Sequence, residues 1–191
     1  MFERFTKSAR DVVEGALGHA EKARDEAVAE EHLLLSLLDA EGTRASGVLA
    51  ALGVDRRRGA LEDALAESRR RGGVSRADAE ALAGLGIDVA AIVARVEDTH
   101  GAGALAAGRR SRRWRPAGRP PLTRGAKTVL ERSLRSALAR GDRHIGDEHM
   151  LLALATGPGV VADVLTEFGA SWADIERVLG EEDGGRRARA S

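Results

Sequence analysis

A chain of 191 residues, 43% of them hydrophobic, has room for one large domain or two small ones, each with a modest core. Its 30 Lys+Arg balance 30 Asp+Glu, so no net field draws it to nucleic acid or to an anionic membrane surface. Cysteine is absent, which excludes disulfides, thiolate metal sites and cysteine nucleophiles and fits a reducing compartment.

The opening MFERFTKSAR has no apolar h-region, and no run of about 18 apolar residues follows, so neither secretion nor membrane spanning is expected and the cytoplasm is the expected location. Long Ala/Leu/Arg/Glu stretches broken by short Gly-containing turns predict an all-α fold. From Thr6 to Arg24, Ala9, Val12, Val13, Ala16, Leu17 and Ala20 recur every three or four residues on one helix face, with Thr6 as N-cap. A second helix is expected from about Glu30 to Leu38. A third follows over Ala45–Leu52, capped by Thr43 and closed by Gly53, and a fourth over Asp55–Glu67.

The second half repeats this plan, with helices expected at Arg124–Arg140, Glu148–Leu154, Val160–Phe168 and Trp172–Gly180. At a fixed offset of 117, Thr6 matches Thr123, Ala9 matches Ala126, Leu17 matches Leu134, and Glu31, His32, Leu34, Leu35 and Leu37 match Glu148, His149, Leu151, Leu152 and Leu154. VLAALG and VLTEFG then align at an offset of 116, a one-residue deletion of the kind loops tolerate. Between the copies, Ser75–Val96 reads as an inserted helical pair whose first helix is capped by Ser75 with Asp78. Residues 100–121 read as an Arg/Gly/Pro-rich linker. The expected divisions are 1–68 for the first repeat, 69–99 for the inserted helices, 100–121 for the linker, 122–181 for the second repeat and 182–191 for a disordered tail.

Two tandem four-helix units, one opening with MFERFT and both carrying Glu-His before a leucine run, resemble the Clp N-terminal (Clp R) domain of ClpC-type AAA+ unfoldases. The resemblance covers roughly residues 1–68 and 122–181 and implies a pseudo-twofold domain that recruits substrates and adaptors to a Clp protease machine. It also implies phosphoarginine binding, with Thr6 paired to Glu31 and Thr123 paired to Glu148. The chemistry suits such a ligand, because a carboxylate accepts a guanidinium while a Thr hydroxyl and helix-start N–H groups suit phosphoryl oxygens. The second site departs from the family pattern, since LTRGAK lacks the usual Pro and introduces Gly125. Phe2, Phe5, Lys127 and Glu131 are candidates for a peptide groove, although Phe2 and Phe5 suit packing as well.

Other chemistry is not expected. None of Lys7, Lys22 and Lys127 sits in G-x-x-x-x-G-K-[ST], so the expectation is a non-catalytic N-domain without its motor and without cofactors. There is no H-E-x-x-H, so no metal is expected, and His32 and His149 read as structural histidines that bond between helices. Glu31 and Glu148 would also gain about 0.3–1 kcal/mol from the macrodipole at a helix start, whatever they bind. The basic run Arg109, Arg110, Arg112, Arg113, Trp114, Arg115 and Arg119 offers phosphate contacts and one stacking ring, but the neutral whole and the lack of a recognition fold weigh against nucleic acid as a partner. The expected partners are Clp ATPase or protease components, adaptors and substrate proteins, with cyclic-peptide antibiotics that target such domains as further ligands. The chain would deliver substrates to the machine or compete with it as a decoy. The alternatives are a regulatory module that docks on a Clp ring with no ligand site, and a nucleic-acid binder acting through the linker.

Overall fold

The computed structural model describes residues 2–106 and 119–189, with side chains from 3–106 and 119–184; the basic run from Arg109 to Arg115 and the Phe2 side chain lie outside what is described. The described residues are helical with no extended strand, as the apolar spacing requires. The first repeat contains a 3-10 turn at Phe2–Arg4, α1 (Lys7–Ala23), α2 (Glu30–Asp39), α3 (Arg44–Ala51), a 3-10 turn at Asp55–Arg57 and α4 (Arg58–Arg70). The inserted pair is α5 (Arg76–Gly84) and α6 (Val89–His100), and the second repeat holds α7 (Arg124–Arg140), α8 (Asp147–Thr156), α9 (Val160–Glu167) and α10 (Trp172–Arg189).

Sequence-local chemistry sets the helix ends. Thr6 and Thr123 accept hydrogen bonds from the backbone N–H groups of Ala9 (3.2 Å) and Ala126 (3.0 Å), each satisfying one of the orphan donors of a helix start. Thr43 and Ser75 cap α3 and α5 in the same way, through Ser46 and Asp78. At the C-terminal ends of α1 and α7 the chain turns through the left-handed region, at Arg24 (φ 58°) and at its counterpart Gly141 (φ 75°). Glycine takes that conformation without the Cβ conflict that Arg24 must bear.

Packing follows from the two leucine-rich helices. On α8, Met150, Leu151, Leu152, Ala153 and Leu154 are all buried, so this helix is apolar nearly all round and must lie inside. Leu33, Leu34 and Leu37 of α2 are fully buried as well, and α2 and α8 meet at the centre, with α1 packed on α2 and α7 on α8. Each fully buried leucine contributes roughly 1.5–3 kcal/mol. The two repeats therefore share one core. No single helix among the described residues is long and apolar enough to cross a membrane.

Two isolated parallel bridges, Phe5 with Ile145 and Val28 with Leu122, tie the start of each repeat to the other repeat. In the first, Ile145 donates to the Arg4 carbonyl (2.8 Å) and Thr6 donates to the Ile145 carbonyl (2.9 Å); in the second, Val28 donates to Pro121 (2.8 Å) and Thr123 to Val28 (2.9 Å). The segment before each N-cap threonine thus runs beside the segment that leads into the opposite Glu-His helix.

The tail departs from expectation. In place of the disorder expected over 182–191, α10 continues to Arg189, and its Asp183 is held by Arg44 (2.6 Å) and Arg140 (2.8 Å). Those two ion pairs fasten the extension against α3 and α7.

Candidate functional site

Each Glu-His motif builds its own helix start. In α2, His32 Nδ1 accepts the N–H of Ala29 (2.9 Å) while His32 N–H donates to the Ala29 carbonyl (3.1 Å). In α8, His149 Nδ1 accepts the N–H of Gly146 (2.9 Å). The histidine supplies the reciprocal half of a capping box, a role usually taken by Glu or Gln. With Nδ1 accepting, Nε2 carries the proton and faces a carboxylate, Asp25 for His32 (3.1 Å) and Asp142 for His149 (3.0 Å). The histidines therefore join a helix start to its preceding loop and do not bridge between helices as expected. Asp25, Glu31 and His32 lie close enough together to suggest a metal site, but both ring nitrogens of His32 are already engaged, so the ring has no lone pair to give an ion. Burial lowers the His32 pKa, against the pull of the Glu31 and Asp25 carboxylates and with the help of the Arg69 guanidinium, so the ring stays neutral.

Glu31 and Glu148 occupy the second position of their helices, yet each is only 6% exposed. A carboxylate so placed needs a cationic partner. Arg69, near the end of α4, lies 2.9 Å from Glu31, and Arg44, at the start of α3, lies 3.1 Å from Glu148.

The threonines are not paired as expected, because the crossed bridges send each one to the other repeat. Thr6 is linked to Ser8 (2.9 Å), and Ser8 donates to Asp147 (2.9 Å), the residue before Glu148. Thr123 donates to Glu30 (3.4 Å), the residue before Glu31. The structure thus brings Thr6 to the α8 start and Thr123 to the α2 start, instead of pairing Thr6 with Glu31 and Thr123 with Glu148.

This crossing also explains Gly125. It is the counterpart of Ser8, and a Cβ there would lie 1.7 Å from Glu30 Oε1. One repeat bonds the opposite acid through a hydroxyl, and the other makes room for the longer carboxylate of Glu30. Gly146 makes similar room for Glu148, whose Oε2 would lie 2.0 Å from a Cβ at that position.

The surroundings of the two glutamates differ. At Glu31 a cleft of about 520 Å³ opens between α2, α7 and the turn before α9, and Glu30, Arg69, Arg124, Gly125 and Arg132 share its lining. At Glu148, Arg44 also holds Asp183, which holds Arg140, and Arg140 reaches Glu176 (2.7 Å). The proposed groove residues stand elsewhere. Phe5 is 5% exposed in the core, where its bridge to Ile145 fixes it, and Lys127 and Glu131 are exposed on α7 outside the cleft lining.

Sequence reasoning missed Arg44, Arg69 and Asp183, because nothing local marks a partner delivered by tertiary packing. The acidic doublets Glu30-Glu31 and Asp147-Glu148 were the one available signal that each site has two carboxylates.

Residues 4–78 and 72–168 match the family described as the Clp repeat (R) N-terminal domain. The chain belongs to that family. Among relatives, it is 32% identical over 189 residues to the ClpA homolog ATP-binding subunit of the ATP-dependent Clp protease from Brassica napus, a chloroplast protein, matching 96% of this chain and 17% of the relative. The chloroplast chaperone protein ClpC1 of Arabidopsis thaliana is also 32% identical, over 96% of this chain and 16% of its own. The chain thus spans about one-sixth of the length of these relatives. A solved structure described as part of a malarial protein secretion system overlays with a TM-score of 0.53 at 13% identity, covering 94% of both chains, which is a likeness of fold.

Proposed function

We propose that this Clp repeat domain is a non-catalytic receptor that binds substrate proteins or adaptors for a Clp machine, in a cytoplasmic setting, and that it recognises an arginine-borne phosphoryl group at the paired helix starts. The observation that carries this reading is the guanidinium already seated on each buried glutamate, Arg69 on Glu31 at 2.9 Å and Arg44 on Glu148 at 3.1 Å. Each such pair stands beside a helix start capped by a threonine of the other repeat. A ligand guanidinium would replace the internal arginine, and its phosphoryl oxygens would face the threonine-capped helix start, where backbone N–H groups and the dipole favour an anion. The cleft at Glu31 makes that end the receptive one.

Calorimetric titration with phosphoarginine tests the reading. Saturable binding that Glu31→Gln removes, with helical circular dichroism unchanged, supports it; binding indifferent to both Glu31→Gln and Glu148→Gln overturns the site. Adding the chain to a Clp protease degrading an arginine-phosphorylated substrate separates delivery, which speeds degradation, from competition, which slows it. The same competition format, with a Clp-targeting cyclic peptide, measures whether the domain sequesters such compounds.

A further inference from the structure

The cleft beside Glu31 holds more positive charge than its glutamates neutralise. Glu31 is paired to Arg69, and Glu30 lies over Gly125. Arg124 and Arg132 line the same cleft and form no ion pair among the described residues. Arg124 is the first residue of α7 and exposed, whereas Arg132, about two turns further along, is half-buried. Its Nη1 would lie 2.7 Å from a Cβ on Gly157, so the guanidinium rests on the one surface that a side chain at 157 would have closed. The first repeat has no such cation, because the counterpart of Arg132 is Gly15, and Ser36 Oγ would lie 2.3 Å from a Cβ there. The far wall is apolar, formed by Pro158, Val160 and Val161.

We propose that Arg132 and Arg124 form an anion subsite that takes a phosphoryl group carried on a hydroxyl side chain of a protein, as in phosphoserine. The inference rests on reading this cleft as the ligand site, but it needs no ligand guanidinium, since Arg69 already neutralises Glu31. Two guanidinium groups offer forked donors to phosphoryl oxygens, and such charge-assisted bonds are about twice as strong as neutral ones. A bare cationic side chain is repelled. The apolar wall leaves room for a hydrophobic neighbour in the bound segment.

The test titrates the whole chain with O-phosphoserine, phosphoarginine, aspartate and arginine, each read by calorimetry and by amide chemical shifts. Phosphoserine is expected to bind, Arg132→Leu to weaken it by roughly tenfold or more, Arg124→Gln to weaken it less, and Glu31→Gln to leave it in place. Aspartate is expected to bind more weakly and arginine not at all. Phosphoserine binding that is absent, or unchanged in both arginine variants with the fold intact, overturns the inference. Phosphoarginine binding without phosphoserine binding also overturns it and leaves the guanidinium reading standing; the reverse pattern overturns that reading and supports this one.

Discussion

The Glu31 end and the Glu148 end begin from the same motif and finish differently. Both present a buried glutamate at the second position of a helix, a histidine that bonds the helix start, and a threonine from the opposite repeat. Around Glu148, Arg44 is held from behind by Asp183, which Arg140 holds in turn. Around Glu31, Arg69 stands at the edge of a cleft with two further guanidinium groups, those of Arg124 and Arg132, that form no ion pair among the described residues. Duplication copied the backbone and the first residues of each helix. The partners that open or close a site differ: Asp183 of α10 backs Arg44 at one end, whereas Arg132 stands at the other where the first repeat has Gly15.

The largest effects should come from the shared core, where the ends are still alike. Leu34 and Leu151 are counterparts and both 0% exposed, so Leu34→Ala and Leu151→Ala should each cost about 2–5 kcal/mol in chemical denaturation. A cost in one less than half that in the other would break the equivalence of the two central helices.

The histidine partners sharpen the contrast. Asp25 is 3% exposed but the Asp142 side chain is 42% exposed. Asp25→Ala, which strands a buried Nε2–H, should cost about 1–3 kcal/mol, and Asp142→Ala clearly less, because water can replace its carboxylate. The same region sets a pH dependence. The folded pKa of His32 lies below its unfolded value of about 6.5, so its contribution is complete above that pH. As pH falls below about 6.5 the unfolded chain takes up a proton that the folded chain refuses, and stability drops. Urea midpoints at pH 7.5 and 5.5 measure the drop, and His32→Gln should flatten it.

The smallest effect is expected at the helix ends. Arg24 adopts the left-handed turn that Gly141 takes in the other repeat, so Arg24→Gly should stabilise by up to about 1 kcal/mol in the same denaturation assay. A destabilisation would mean that Arg24 makes contacts worth more than its backbone strain.

The helices were legible because their causes are local. Thr6, Thr43, Ser75 and Thr123 announce N-caps, and the leucines of α2 and α8 announce a core. The crossing of threonines to the opposite repeat was not legible, since it depends on the Phe5–Ile145 and Val28–Leu122 bridges, which join residues far apart in the chain. Gly125 looked like a defect in the second site for the same reason, because the carboxylate it accommodates belongs to the first repeat. The ordered end of α10 was hidden too, as its anchoring arginines, Arg44 and Arg140, lie on other helices.

The most direct test of an unequal pair of sites is the stoichiometry of phosphoarginine binding, measured by calorimetry on the intact chain and on Asp183→Asn. One molecule per chain is predicted, lost in Glu31→Gln and kept in Glu148→Gln, with a second site gained when Asp183→Asn frees Arg44. No binding, two equal sites in the unaltered chain, or binding that depends on Glu148 alone would contradict the account.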